Sequence, residues 1–125
     1  MKRVLIADDH AITRRGLREL LQDAYEGLQV IEVGNADAAI EQACRDDFDL
    51  VLLDVLMPGL TGIEVLKMIR AMPQTANLPV IMISEFTRDD EVVRGLEIDD
   101  ADYLLKPIDL DALLARVETY LSRRE

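Results

Sequence analysis

Cysteine, histidine and positive charge are all scarce in this chain. A single cysteine among 125 residues cannot form an internal disulfide. Cys44 falls in a helix-like apolar pattern, where a packed thiol is the expectation and a reducing cytoplasm fits. The single histidine, His10, is a poor basis for a transition-metal site, so a loop or cap role is expected of it. Fourteen Lys and Arg against 25 Asp and Glu give a formal net charge of -11. That balance argues against this segment gripping nucleic acid or an anionic membrane, because both interactions rest on cations meeting phosphates. The basic residues are scattered apart from pairs such as Arg14-Arg15 and Arg123-Arg124. No apolar run approaches the roughly 20 residues of a membrane span. Met1-Lys2-Arg3 leads straight into a strand pattern rather than a signal peptide. Internal repeats and low-complexity stretches are missing too.

What the chain does contain is half apolar and 31% charged, ordinary for a globular domain and wrong for a disordered one. A chain of this length is expected to form one domain, residues 1–125. Short apolar runs alternate with amphipathic stretches throughout. Strands are expected at Val4–Ala7, Val30–Val33, Leu50–Leu53, Val80–Ile83 and Tyr103–Leu105. Helices are expected at Ile12–Asp23, Ala36–Arg45, Gly62–Met72, Asp89–Glu97 and Leu110–Ser122. Runs apolar on both faces suit a parallel sheet covered by helices on each side. The fold class is therefore α/β: a doubly wound, five-stranded parallel sheet with five helices, flavodoxin-like, for which 2-1-3-4-5 is a known strand order. Asn35, Asp109 and, as a weaker match, Thr87 with Asp90 are candidate helix caps. Pro58-Gly59, Pro73 and Pro79 punctuate loops, Pro79 at a strand start where its missing N–H costs little.

Asp8 and Asp9 end the first strand run and Asp54 ends the third. With strands one and three adjacent, these carboxylates meet at the edge of the sheet where ligands bind in open α/β folds. Two like charges about 4 Å apart repel by roughly 4 kcal/mol at an effective dielectric near 20, so the set must keep a proton or recruit a cation. Hard oxygen ligands favour Mg²⁺, which accepts phosphate oxygens into its remaining positions. Ser84 and Lys106 close the fourth and fifth strands at the same rim. Asp54 is the candidate nucleophile, forming an aspartyl phosphate, with Asp8 and Asp9 holding the metal. Ser84 offers a hydroxyl and Lys106 a charge to phosphoryl oxygens. Asp8 also suits a capping role for the helix beginning near Ile12.

Asp8-Asp9, Asp54 followed by Met57-Pro58-Gly59, Ser84, and Tyr103 with Lys106-Pro107 resemble the receiver domain of two-component response regulators, from Val4 to about Leu121. The opening Val4–His10, with Arg14-Arg15-Gly16-Leu17, looks closest to regulators that carry a helix-turn-helix output domain. The resemblance implies that Asp54 takes phosphate from a phosphohistidine of a sensor histidine kinase or phosphotransfer protein. It implies Mg²⁺ on Asp8, Asp9, Asp54 and the Leu56 backbone carbonyl, Asp8 commonly through water. Ser84 and Tyr103 match the switch pair, and Lys106 pairs with phosphate. The implied output surface, toward an output domain or downstream protein, is the Asp89–Glu97 helix, the fifth strand and the Leu110–Ser122 helix, with a homodimer on phosphorylation open. The domain would be a phosphoacceptor that assists its own phosphorylation and dephosphorylation rather than an enzyme acting on other substrates. With one histidine, the phosphodonor should be another molecule.

Three departures from the family pattern stand out. Glu85 replaces the usual small residue after the switch hydroxyl. Asp99-Asp100 stands where Gly-Ala is common and, with Asp102, makes an acidic edge read first as a solvated turn. Apolar Leu56 and Phe86 flank the path of a hydrolytic water, so a comparatively long-lived phosphate is expected. Two other functions compete: a phosphohydrolase of the haloacid dehalogenase type, which Asp8-Asp9-His10 fits poorly because it lacks an Asp-x-Asp spacing, and an interaction module that keeps the fold without using phosphate.

Overall fold

A computed structural model describes residues 2–55, 57, 61–84 and 102–123. The expectations for Leu56, Pro58-Gly59, Glu85, Phe86, Thr87, the Asp89–Glu97 helix, Asp99-Asp100 and the last two residues fall outside those described.

The described elements run β1 (Arg3–Ala7), α1 (Ala11–Ala24), β2 (Gln29–Val33), α2 (Ala36–Arg45), β3 (Leu50–Asp54), α3 (Gly62–Ala71), β4 (Val80–Ser84), β5 (Asp102–Leu105) and α4 (Leu110–Arg123). The strands form one parallel sheet in the order β2-β1-β3-β4-β5. β1, β3 and β4 are buried almost throughout, which is why their interiors are apolar runs, mostly Val, Ile and Leu with Ala7 and Met82.

Alternation along each strand divides the core in two. Leu5, Ala7, Val51, Leu53, Val80 and Met82 face the side covered by α2 and α3, against Ala39, Ala43, Ile63, Leu66 and Ile69. Val4, Ile6, Leu50, Leu52, Ile81 and Ile83 face the other side, where Leu17 and Leu21 of α1 and Leu113 and Val117 of α4 close over them. Two apolar layers thus clamp the three central strands, and their carboxyl ends are held at a common level.

Helix starts follow local chemistry. The Asn35 side chain accepts from Ala38 N–H at 2.8 Å, and Asp109 Oδ1 accepts from Asp111 N–H at 3.0 Å. Thr61 and Glu64 form a reciprocal capping box at the head of α3. At the same place the Gly62 N–H donates to Val55 O at 2.7 Å, drawing α3 against the end of β3.

One expectation is corrected. Cys44 is exposed rather than packed. The inward stripe of α2 is Ala36, Ala39 and Ala43, and one further residue turns about 100° away from it. The thiol lies 3.3 Å from the Met72 sulfur at the surface.

Candidate functional site

The registers bring the strand ends together. Ala7 lies beside Leu53, so the next residues, Asp8 and Asp54, are neighbours across the β1-β3 boundary. Asp54 pairs with Ile83, and Ser84 pairs with Leu105, the residue before Lys106. The Lys106 N–H extends the ladder by donating to Ser84 O at 2.7 Å. Four separate strands therefore deliver Asp8, Asp54, Ser84 and Lys106 to one rim.

Asp8, Asp54 and Ser84 are buried, whereas the Asp9 side chain is one-third exposed. The Lys106 ammonium sits 3.0 Å from Asp54 Oδ2 and 3.7 Å from Asp8 Oδ2. At an effective dielectric near 20 the closer contact is worth roughly 5 kcal/mol of attraction before the cost of desolvation. One ligand atom from each of Asp8, Asp9, His10 and Asp54 lies within 4.8 Å of the others. Three carboxylates against one ammonium leave an excess of negative charge that a divalent cation can balance. The hard oxygen donors fit Mg²⁺.

Asp8 has a structural task as well. Its Oδ1 accepts from the His10 N–H at 2.9 Å, fixing the turn that leads into α1 rather than capping the helix itself. His10 occupies the position before the helix, as a cap would, but its ring makes no cap hydrogen bond. Nδ1 instead faces Asp9 Oδ1 at 3.0 Å and Asp8 Oδ1 at 3.2 Å. Tyr103 is half-buried against the α2/α3 side of the core, opposite Met82 in the register.

Sequence reasoning missed the support behind the carboxylates. Arg14 Nη1 donates to the Asp8 backbone carbonyl at 2.5 Å, and its Nε lies 3.4 Å from Glu32 Oε1. Arg18 holds the other Glu32 oxygen at 2.7 Å. Gly34 leaves room for this arm, since a Cβ there would sit 3.1 Å from Arg14 Nη1. The available signal was the spacing of Arg14 and Arg18, four apart on one helix face, opposite the lone acid of β2. Gly62 was read only as a helix start, yet a Cβ there would press into the Asp54 carbonyl oxygen.

Comparison with known proteins agrees with this geometry. Residues 4–118 match the family model described as the response regulator receiver domain. ResD, a transcriptional regulatory protein of Bacillus subtilis, is 36% identical over 121 residues, which span 97% of this chain and 48% of ResD. The phosphate regulon regulatory protein PhoB of Klebsiella pneumoniae is 31% identical over 122 residues, 98% of this chain and 52% of PhoB. The chain thus spans about half the length of the curated relatives it matches.

Among solved structures, the receiver domain of a Francisella response regulator superposes with a TM-score of 0.85 at 28% identity, covering 100% of both chains. The receiver domain of a histidine kinase from Syntrophus aciditrophicus gives 0.89 at 27%, covering 100% of this chain and 93% of the other. The Thermotoga maritima response regulator TrrA, solved in complex with Mg²⁺-BeF, gives 0.79 at 28% over 96% and 99%. The haloacid dehalogenase alternative finds no support among these matches. Matched by that family model along nearly its whole length and superposing closely on solved receiver domains, the chain belongs to the receiver domain family of two-component response regulators.

Proposed function

We propose that this domain is a phosphorylation-driven switch that accepts a phosphoryl group on Asp54 from a phosphohistidine of a sensor kinase or phosphotransfer protein. The observation that carries the reading is the Lys106 ammonium 3.0 Å from Asp54 Oδ2 at a rim shared with Asp8 and Asp9. An Asp54 carboxylate oxygen attacks phosphorus, the P–N bond to the donor imidazole breaks, and the imidazole leaves with that electron pair and takes a proton. Lys106 offsets the charge of one phosphoryl oxygen, and the Ser84 hydroxyl donates to another. Asp8, Asp9, Asp54 and the Leu56 carbonyl would hold Mg²⁺, which when bound supplies positive charge to the phosphoryl oxygens during transfer.

The switch couples Ser84 to Tyr103. Ser84 lies beside Leu105 in the register, so a change at its hydroxyl is transmitted along β5 to Tyr103 two residues earlier. Charge-assisted hydrogen bonds from Ser84 and Lys106 contribute about 1.5 to 3 kcal/mol each only so far as they are made in the phosphorylated state alone. Lys106 already contacts Asp54, so they fall short of the roughly 5.5 kcal/mol that moves an equilibrium from 1:99 to 99:1. Phosphorylation therefore biases the domain strongly without locking it. The response is read on β5 and α4, with the Asp89–Glu97 segment, by an output domain, a downstream protein or a second copy. The phosphodonor protein docks beside Lys106, where Ile12 stands 90% exposed at the edge of an apolar groove formed with Leu17, Leu20, Pro107 and Ile108.

Intact-mass measurement after acetyl phosphate treatment tests the chemistry. A Mg²⁺-dependent phosphate adduct on the wild type, missing from Asp54→Asn, is expected. An adduct that persists in that variant would refute the assignment.

A further inference from the structure

The position of His10 suggests more than a loop residue. Its imidazole is 66% exposed, so burial does not force it against the acidic pair. The ring nevertheless lies with Nδ1 3.0 Å from Asp9 Oδ1 and 3.2 Å from Asp8 Oδ1. Adjacent ligands of an octahedral ion with bonds of about 2.1 Å are separated by roughly 3.0 Å, the bond length times the square root of two. Both nitrogen-to-oxygen separations are those of hydrogen bonds from the ring and lie close to that edge, so an ion can take the place of the shared proton without moving the ring far. The backbone N–H of the same residue donates to Asp8 Oδ1, which keeps the residue beside this carboxylate.

The geometry points to His10 as a nitrogen ligand that turns the Asp8, Asp9 and Asp54 pocket into a centre selective for first-row transition divalent cations, such as Mn²⁺, Co²⁺ and Ni²⁺, over Mg²⁺. This inference rests on the acidic pocket being the cation site proposed above. Mg²⁺ gains little from exchanging a water for imidazole, whereas affinity for a nitrogen donor climbs from Mn²⁺ to Ni²⁺. A pocket of carboxylates alone lacks that gradient in steepness. Adding one imidazole therefore changes which ion is held more than whether an ion is held.

The chain offers a clean test because His10 is its only histidine, so in an untagged protein any imidazole coupling comes from that side chain. Mn²⁺ bound at about pH 8, where an ordinary imidazole is neutral, should show imidazole nitrogen modulation in pulsed electron paramagnetic resonance, and His10→Ala should lose it. Calorimetry should show the ratio of Ni²⁺ to Mg²⁺ affinity falling about tenfold or more in His10→Ala. Mn²⁺ bound without nitrogen modulation, together with an unchanged ratio, would overturn the role of His10 while leaving the acidic pocket intact. Binding of Ni²⁺ and Mg²⁺ that survives Asp54→Asn undiminished would instead overturn the pocket assignment on which it stands.

Discussion

Two glycine-to-alanine changes should move stability in opposite directions. At Gly62 a methyl group would press into the Asp54 carbonyl oxygen and lie 2.8 Å from its carbonyl carbon and 2.9 Å from Val55 Cα. All three are backbone atoms of a strand end packed on both faces, so no side chain can swing aside. Either α3 backs away or the end of β3 bends. Overpacking of this kind costs about 1 to 3 kcal/mol. Separation would also weaken the 2.7 Å bond from Gly62 N–H to Val55 O, worth about 1 kcal/mol. A total near 3 kcal/mol, with a urea slope of about 1.5 kcal/mol per molar, lowers the unfolding midpoint by roughly 2 M. At Gly16, within α1, a Cβ meets nothing within 4 Å. Gly16→Ala should stabilise by about 0.5 to 1 kcal/mol through helix propensity alone. Urea melts followed by circular dichroism measure both. A Gly62→Ala midpoint at or above the wild type would show that the close approach of α3 to Asp54 does not constrain the site.

Arg14→Met removes the donor to the Asp8 carbonyl and leaves Glu32 to Arg18 alone; a loss of about 1 to 3 kcal/mol in urea melts, with weaker Mg²⁺ binding by calorimetry, is expected, and unchanged values for both would refute the supporting role. Lys106→Met strips the buried Asp54 of its cation, so the melting temperature in EDTA should drop, and Mg²⁺ should raise it by more than in the wild type; an equal Mg²⁺ response would count against charge balance at the rim. The Tyr25 phenol is pushed above 10.0 by burial first and by Glu118 second. Because the folded state holds this proton longer, its contribution is complete below the ordinary tyrosine range and fades as pH rises through the folded value. The ultraviolet difference titration between wild type and Tyr25→Phe should therefore have its midpoint above 10.0, and one at or below it would contradict the burial.

Strand positions were readable because β1, β3 and β4 are buried on both faces, which calls for short unbroken apolar runs. The acidic rim followed from the places where those runs stop. Asn35 and Asp109 announced their helices through local hydrogen bonding, and Thr61-Gly62-Ile63-Glu64 carried an equally local signal that went unread. The Arg14–Glu32 contact and the Gly62 approach could not be read with the same ease, since each depends on how a helix sits against a strand distant in sequence. Cys44 misled because a ten-residue helix with apolar residues at several angles leaves its inward stripe ambiguous until the sheet selects one.

The bond between Lys106 and Asp54 joins positions 52 apart, reaching across β4 from one side of it to the other. Asp8 and Asp54 end strands that precede β5 in the chain, so those strands can pair before the strand end carrying their ammonium partner joins the sheet. A chain folded only through β4 would hold its acids against one another without Lys106, so a proton or an ion from solution would have to offset their charge until β5 docks. Charge balance at the rim is thereby tied to completion of the sheet.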